Sequence, residues 1–406
     1  MSAPSLLVQI GKKKAGVDDS PEAVAARKER WQQVRPRSAQ VYLENKCHLK
    51  CQHCYESDES HPHDESLSLA DYERIFEELA RIGVLYLTFT GGEIFLRRDI
   101  LDIIELARKK RFSVSLFTSG TLIDEHKANR LQELKVTEVH ISVYSHDAAV
   151  HDGFTQVPKS WERSVRALRL LHERGIPTVM KANLMTFNVE HIDELIALAK
   201  SVGADYQLDP SVKPRMNGDR SPLRFAVPPD RLRRLVYHRP DLYEAFKMNA
   251  PGEYCTGEKS LLDDESVMCG AARGLVSIGA DGGLYACGFF PVAAGSLKEQ
   301  SLEDIWFGSA QLDAVRQTTF DQMVSCQGCD VKNTCSPCMA YGMVEHGDHR
   351  MCASSSRQTA TAVRLLAEER TKKNAQMESG KKLPIVGELE VPRPPVKGGV
   401  SALSSE

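Results

Sequence analysis

Short runs of β-branched and aromatic residues alternate with amphipathic stretches between residue 40 and about residue 210. The short runs have strand composition, and the longer stretches repeat apolar residues at helical spacing. The predicted strands lie near Gln40–Glu44, Tyr86–Thr90, Ser113–Thr118, Glu138–Tyr144, Thr178–Leu184 and Tyr206–Leu208. The predicted helices lie near Leu69–Ile82, Arg98–Lys110, Asp124–Leu134, Ser160–Glu173 and Val189–Val202. This alternation predicts an α/β fold with a parallel sheet.

Six βα units are too few to close an eight-stranded TIM barrel, so the pattern favours an open, partial (β/α)6 barrel. Barrel enzymes carry their chemistry on the loops that follow the carboxyl ends of the strands. Four of these predicted loops contain unusual residues, namely the cysteine-rich segment 47–54, Gly91-Gly92-Glu93, Ser119-Gly120-Thr121 and Ser145-His146-Asp147. We expect these loops to meet at one end of the barrel.

The pattern also predicts the domain organisation. Residues 1–38 form a polar N-terminal extension with one predicted helix, Pro21–Gln33, and residues 39–250 form the partial barrel. The alternation stops near residue 250, where a cysteine-rich C-terminal domain is predicted over 251–372. Residues 373–406 are rich in Lys, Gly and Pro, a composition that cannot bury a core, so we expect a disordered tail.

Composition excludes several classes of protein. The chain has 406 residues, of which 42% are hydrophobic and 26% charged, and its net charge is -3. These values are ordinary for a globular protein and give no basic excess for nucleic acid. No segment reaches the length of a membrane span, and the apolar run Leu6–Ile10 precedes its lysines, the reverse of a signal peptide. We expect a cytoplasmic protein with reduced thiols, which binds neither nucleic acid nor membrane.

Three cysteines within eight residues, Cys47, Cys51 and Cys54, are the most informative local motif. Three thiolates can hold three irons of a cubane cluster and leave the fourth iron open to a small molecule. The alternative is a structural zinc ion, for which His48 or His53 would supply the fourth ligand. Separated C-x2-C pairs are more typical of zinc, so the spacing favours an iron–sulfur cluster.

With Tyr55 directly after Cys54, this C-x3-C-x2-C motif resembles the signature of radical S-adenosylmethionine enzymes. The resemblance implies a [4Fe-4S] cluster at Cys47, Cys51 and Cys54 whose open iron chelates S-adenosylmethionine. It further implies reductive cleavage to methionine and a 5′-deoxyadenosyl radical that abstracts hydrogen from substrate. His53 occupies a position where relatives often carry an aromatic residue near the adenine.

The resemblance also implies contacts to S-adenosylmethionine from the loops of later βα units. Gly91, Gly92 and Glu93 match the glycines and acid that hold the methionine amine in this family. Glycines at a strand end allow close approach of a ligand, and a carboxylate can receive an ammonium. Ser119 and Ser142 are candidates for ribose contacts by position, with satisfaction of local backbone groups as the alternative.

Seven of the eight remaining cysteines resemble the SPASM extension of radical enzymes, although two residues instead of the family's usual three separate Cys335 and Cys338. The resemblance implies two auxiliary iron–sulfur clusters, expected to be [4Fe-4S]. The nearer one takes Cys255, Cys269, Cys287 and Cys338, and the outer one takes Cys326, Cys329, Cys335 and Cys352. Cys255 lies outside the usual seven-cysteine pattern. Without the N-terminal motif, a zinc knuckle at Cys326, Cys329, Cys335 and Cys338 is the alternative.

Enzymes with this extension mostly modify peptides or proteins, so we expect a maturase-type oxidoreductase. Its reaction would be a crosslink or related C–H functionalisation in a ribosomal peptide or peptide-derived cofactor. Sulfatase-activating relatives carry an aspartate base where this chain has Gly288, which disfavours formylglycine formation. Asp147, Asp152 and Asp209 remain candidate bases, and no catalytic residue is assigned.

The resemblance implies a reductant such as flavodoxin or ferredoxin. Only about 38 residues precede the first predicted strand, fewer than a leader-binding winged helix needs. We therefore expect a separate leader-binding protein or direct binding of the peptide by the core. Two other functions stay open, a radical enzyme acting on a small molecule or a tungsten- or heme-related cofactor, and a non-catalytic iron–sulfur or zinc electron-transfer protein.

Overall fold

The computed structural model describes residues 18–56, 66–239, 242 and 269–378. Its strands β1 to β9 are Ser38–Glu44, Tyr86–Gly91, Ser113–Thr118, Glu138–Ser142, Thr178–Asn183, Asp205–Asp209, Leu275–Ile278, Gly283–Tyr285 and Ala293–Ser296. Its helices α1 to α12 are Pro21–Trp31, Leu69–Arg81, Ile100–Lys109, Glu125–Glu133, Ala148–Thr155, Ser160–Glu173, Ile192–Ser201, Pro229–His238, Leu302–Gly308, Ala310–Gln317, Met339–His346 and Ser354–Glu378. Short 3₁₀ turns lie at Ile94–Leu96, Ser221–Phe225, Phe320–Gln322, Val324–Cys326 and Lys332–Thr334.

Within the described residues the strands form one sheet in the order β6-β5-β4-β3-β2-β1-β7-β8-β9. Neighbouring strands from β6 to β7 are parallel, and β7, β8 and β9 are joined by antiparallel pairing. The first six strands follow one another across the sheet in chain order, as a partial barrel of βα units requires. The predicted α/β fold with an open barrel and a cysteine-rich C-terminal region is therefore confirmed.

The two faces of the barrel sheet differ in chemistry because side chains alternate along each strand. One face carries residues such as Leu116 and Ile141, which are fully buried in the core beneath the helices. The other face lines the barrel interior and is largely polar. There, Ser115 Oγ donates to Glu138 Oε1 across neighbouring strands at 3.2 Å.

The N-terminal helix α1 packs against the C-terminal region. Trp31 Nε1 donates to Asp313 Oδ1 at 2.7 Å, and Trp306 Nε1 donates to the Val34 carbonyl at 2.9 Å. In addition, β7 pairs with β1, so the sheet continues past the boundary predicted near residue 250. The cysteine-rich region is thus built onto the barrel edge by shared backbone hydrogen bonds.

Helix α12 runs to Glu378, beyond residue 373 where the sequence predicts a disordered tail to begin. This corrects the predicted boundary, and it has a simple cause, because Lys372 to Glu378 contains mostly good helix formers. Residues 379–406 lie outside the described part of the chain. None of the helices in the described ranges combines the length and the apolar character that a membrane crossing needs.

Candidate active site

The three-cysteine segment lies directly after β1, at the carboxyl end of the barrel strands. Helix α5 holds the segment through two backbone bonds, in which Lys50 N donates to the Thr155 carbonyl at 2.9 Å and Gln52 N donates to the Phe154 carbonyl at 3.3 Å. Burial raises the pKa of the Cys51 thiol, and the neighbouring Cys54 and Cys47 raise it further. Ionisation of one of these thiols therefore disfavours ionisation of its neighbours, and positive metal ions would offset this repulsion.

The two histidines of the segment have partners other than the cysteines. His48 Nε2 lies 2.7 Å from Thr121 Oγ1, and His53 Nε2 lies 3.3 Å from Asn183 Oδ1. The His53 ring packs edge-on against Tyr144, with 4.7 Å between ring centroids. Across the described residues, no three His, Cys, Asp or Glu side chains come close enough to hold a single metal ion. Each histidine is thus held by a side chain outside the cysteine segment.

Gly91 and Gly92 are required by the backbone of the segment that leads into the cysteines. Gly92 N donates to the Glu44 carbonyl at 2.7 Å, and Glu93 N donates to the Lys46 carbonyl at 2.9 Å. A Cβ atom at Gly91 would lie 2.1 Å from the Glu44 carbonyl oxygen, and one at Gly92 would lie 2.4 Å from that of Lys46. The two glycines therefore fix the entry to the cysteine segment, whatever else they bind.

Glu93 is fully buried, and its carboxylate binds groups of the protein itself. Oε1 accepts from Thr118 Oγ1 at 2.6 Å and from Phe95 N at 3.1 Å. Oε2 accepts from Ser119 N at 2.9 Å and from Ser119 Oγ at 2.5 Å. These four donors fill the four lone-pair positions of a carboxylate. The Glu93 carboxylate therefore ties the loop after β2 to the loop after β3.

The two predicted ribose contacts also have protein partners. The Ser119 hydroxyl donates to Glu93 and lies 2.9 Å from Thr121 Oγ1, and the Ser119 carbonyl accepts from Ser164 Oγ at 2.7 Å. Ser142 ends β4 and is half-buried. Both serines lie at carboxyl ends of strands as predicted.

The structure brings Cys269, Cys287 and Cys338 together although they are far apart in sequence. Burial raises the pKa of the Cys287 thiol to about 12, and both Cys338 and Cys269 contribute. The three line a cavity of about 360 Å³, which Asp209 at the end of β6 also lines. Their proposed fourth partner, Cys255, lies outside the described residues.

A second group contains Cys326, Cys329, Cys335 and Cys352. Burial raises the pKa of Cys335 to about 12, and the other three thiols raise it further. Arg357 Nη1 lies 3.6 Å from Cys329 Sγ. Cys338 instead lines the cavity that Cys269 and Cys287 also line. The cysteines of the described residues form no disulfide.

The first cysteine segment and the group around Cys287 meet at Tyr42. The Tyr42 hydroxyl lies 3.4 Å from the Tyr55 hydroxyl and donates to the Gly288 carbonyl at 2.9 Å. Tyr55 follows Cys54 directly, and Gly288 follows Cys287 directly. The two thiol groups therefore border one site at the carboxyl end of the barrel.

The same contact explains the glycine at position 288. A Cβ atom there would lie 2.4 Å from Gln40 Oε1 and 2.5 Å from the Tyr42 hydroxyl oxygen, so these side chains fill the space of a base at this position. Two of the candidate bases already accept hydrogen bonds from backbone N–H groups. Asp147 caps α5 through Ala149 N at 2.7 Å, and Asp152 accepts from Trp161 N at 2.8 Å.

Sequence reasoning missed several residues of this site. Thr118 donates to Glu93, and Tyr42 lies between Tyr55 and Gly288, which follow Cys54 and Cys287. Lys181 lies in the barrel interior, with Nζ 4.1 Å from the centre of the Phe117 ring. Tyr42 and Lys181 could have been found from strand alternation, because both occupy positions on the interior face between core residues.

Two family models match the chain. The radical SAM superfamily model matches residues 41–202, and an iron–sulfur cluster-binding (SPASM) model matches residues 269–330. Together they cover more than half of the chain. The second match ends before Cys335, Cys338 and Cys352.

Curated proteins of two kinds are similar to the chain. The AdoMet-dependent heme synthase of Methanosarcina barkeri is 24% identical over 318 residues, which cover 75% of this chain and 91% of that protein. The PqqA peptide cyclase of Granulibacter bethesdensis is 26% identical over 294 residues, which cover 71% of this chain and 78% of that protein.

Solved structures share the fold. The crystal structure of Streptococcus suis SuiB bound to precursor peptide SuiA matches with a TM-score of 0.64 at 17% identity, over 85% of this chain and 84% of SuiB. Native anSMEcpe with bound AdoMet matches with a TM-score of 0.60 at 18% identity, over 84% of this chain and 100% of that chain. At these identities the matches show the fold alone.

Proposed function

The chain belongs to the radical S-adenosylmethionine superfamily and carries an SPASM iron–sulfur domain, and from this we propose that it oxidatively modifies a peptide or protein. The two domains imply S-adenosylmethionine and iron–sulfur clusters as cofactors. Bound together, these supply the reductive cleavage that removes a hydrogen atom from substrate. The proposed product is a crosslink or another C–H functionalisation.

The contacts of Tyr42 with Tyr55, which follows Cys54, and with Gly288, which follows Cys287, carry this proposal. Oxidation of a substrate by the loss of two hydrogens requires removal of a hydrogen atom, a proton and an electron. In our proposal the hydrogen atom leaves at the S-adenosylmethionine side, and the electron passes to an auxiliary cluster near Cys287. The 2.9 Å bond from Tyr42 to Gly288 and the 3.4 Å separation from Tyr55 support one continuous site for both events.

We propose eleven cluster ligands in three sets. The first set binds the cluster that holds S-adenosylmethionine, the second binds the nearer auxiliary cluster, and the third binds the outer one. They are Cys47, Cys51 and Cys54; Cys255, Cys269, Cys287 and Cys338; and Cys326, Cys329, Cys335 and Cys352. For S-adenosylmethionine we propose the loops at Gly91-Gly92-Glu93, Ser119 and Ser142. Because protein donors already occupy the acceptor positions of the Glu93 carboxylate, we propose that backbone carbonyls of this motif receive the ammonium of S-adenosylmethionine.

A peptide substrate is supported by two similarities, to a PqqA peptide cyclase and to the fold of SuiB, which has been crystallised with a precursor peptide. The proposal includes a flavodoxin or ferredoxin as reductant, a cytoplasmic location, and leader binding either by a separate protein or by the core. Thiol ligation of this kind requires reducing conditions.

A heme-related substrate is the second candidate, because heme synthases from three organisms are 23–24% identical over 75% of the chain. Both candidates fit a site that couples hydrogen abstraction to electron removal. They differ in what must be added for turnover.

The test is anaerobic co-expression with any short peptide encoded beside the gene, followed by mass spectrometry. A mass loss of two hydrogens per modified site supports the peptide proposal, and the Cys326→Ala/Cys329→Ala variant should leave the peptide unmodified. In parallel, the purified enzyme is incubated with an iron porphyrin precursor and S-adenosylmethionine. Conversion of the porphyrin while every peptide stays unchanged would replace the peptide proposal with the heme-related one.

A further inference from the structure

We infer that Lys181 is an anchor for a carboxylate of the substrate, inside the barrel and next to the site proposed for S-adenosylmethionine. This inference deepens the proposed function and rests on it. No motif of the sequence analysis includes this lysine.

Lys181 faces the barrel interior in the middle of β5. Its neighbours Met180 and Ala182 are buried in the core, so alternation directs Lys181 to the opposite face. Its Nζ lies 4.1 Å from the centre of the Phe117 ring on β3, across the intervening strand β4. In register, it pairs with Ser142, one of the proposed ribose contacts. The ammonium therefore lies at the level of the proposed cofactor site.

The Lys181 ammonium has no hydrogen bond or ion pair in the described part of the chain. Three arginines do have such partners there. Arg27 donates to the Gly308 carbonyl at 2.7 Å, Arg97 pairs with Asp99 at 2.8 Å, and Arg316 donates to the Trp306 carbonyl at 2.7 Å. Lys181 is half-buried, so its N–H donors are within reach of an acceptor that a ligand supplies.

The charged groups around Lys181 leave its N–H donors available. Asp209 and Glu138 stabilise the ammonium through space, against the effect of burial, which lowers the pKa of Lys181. Glu138 instead accepts from Ser115 and lies 3.0 Å from His140 Nε2, and Asp209 accepts from Ser211 N at 2.8 Å. Burial lowers the pKa of His140 as well, so this imidazole adds no second cation.

A single ammonium without a second cation suits a carboxylate better than a phosphate, which is usually bound by several cationic or backbone donors.

A ligand can also reach this level of the barrel. Gln207, which pairs with Lys181 in register, is exposed at the open edge formed by β6. Two carboxylates could arrive here, that of the substrate or that of S-adenosylmethionine itself.

The test uses propionate as a minimal carboxylate and propionamide as its neutral match, with binding to the reconstituted holoenzyme followed by saturation-transfer NMR. With S-adenosylmethionine bound, we expect propionate to bind in preference to propionamide. Lys181→Met should weaken propionate at least about tenfold, the effect of losing one hydrogen bond to a charged group. Lys181→Arg should retain binding, and Lys213→Met, which removes a lysine near the auxiliary thiols, should not change it.

Iron content and melting temperature of Lys181→Met serve as folding controls, and replacement of this half-buried lysine should leave both unchanged. S-adenosylmethionine affinity and its uncoupled cleavage by dithionite should also stay at wild-type values. If Lys181→Met weakens S-adenosylmethionine, and the cofactor displaces propionate, the ammonium serves the cofactor and the inference is wrong. Equal binding of propionamide, or no propionate binding, overturns it too. None of these readouts needs a peptide to be modified, so the proposed function can fail separately.

Discussion

Replacing Glu93 with glutamine separates two roles for the acid that follows the paired glycines. The sequence predicts that the carboxylate receives the ammonium of S-adenosylmethionine, whereas the structure fills it with donors from Phe95, Thr118 and Ser119. In Glu93→Gln, one carboxylate oxygen becomes an NH2 group. A hydroxyl can rotate to accept from that group, but one backbone N–H, of Phe95 or of Ser119, loses its acceptor.

The structural role predicts a loss of stability. An unsatisfied buried donor costs about 1–3 kcal/mol, and weakening of the remaining charge-assisted bonds adds about 1 kcal/mol, so we expect a total loss of about 2–4 kcal/mol. The assay is anaerobic thermal unfolding of the reconstituted enzyme by circular dichroism, paired with S-adenosylmethionine affinity by equilibrium dialysis. The matched control is Glu173→Gln on the exposed side of α6, which should change neither. An unchanged melting temperature together with a tenfold weaker affinity would refute the structural role and restore the ammonium contact.

Three further predictions test other parts of the site. Reconstituted enzyme should contain about twelve irons. A variant with alanine at Cys47, Cys51 and Cys54 should lose about four of these irons and all cleavage of S-adenosylmethionine. Stoichiometric zinc without iron would contradict this. Gly288→Asp should displace Tyr42 and lower the content of auxiliary iron, because Gln40 and Tyr42 occupy the space of a side chain at this position. A gain of formylglycine formation on a sulfatase peptide would argue against that reasoning. Burial lowers the pKa of His151 to about 4, below the usual value near 6.5, so the unfolded chain binds more protons as the pH falls and stability decreases. In His151→Asn, the side-chain oxygen can still accept from Tyr144 N. This variant should abolish about 2 kcal/mol of the loss in unfolding free energy between about pH 7.5 and 5.0, measured by denaturant unfolding. Parallel pH profiles of the variant and the wild type would exclude this residue as the source.

Much of the barrel could be predicted because each unit combines a strand of alternating burial with a long amphipathic helix. The predicted bounds of β3 and α6 agree with the structure residue for residue. Strands β7 to β9 are only three or four residues long, too short for a periodic signal. Helix α5 has eight residues and was not predicted for the same reason.

The sets of cluster ligands are what the family resemblance implies, and they stay a prediction. The partners of Glu93 could not be found in this way. They depend on the approach of the β2 and β3 loops in space, and nothing in the spacing of Glu93, Thr118 and Ser119 encodes that approach. Lys181 was overlooked because a polar residue on a strand looks ordinary until the face that it occupies is known.

The pairing of β1 with β7 has a consequence for the order in which this chain is made. The two strands lie next to each other in the sheet but far apart along the chain, at Ser38–Glu44 and Leu275–Ile278. At ordinary rates of translation, roughly 5–20 residues per second, β1 waits roughly 10–50 seconds for this neighbour. During that time the strand that leads into the first cysteine segment is an edge, with unpaired backbone groups open to another chain. Ribosome-bound chains that stop before β7 should therefore associate readily and depend on chaperones, and chains that extend past β7 should not.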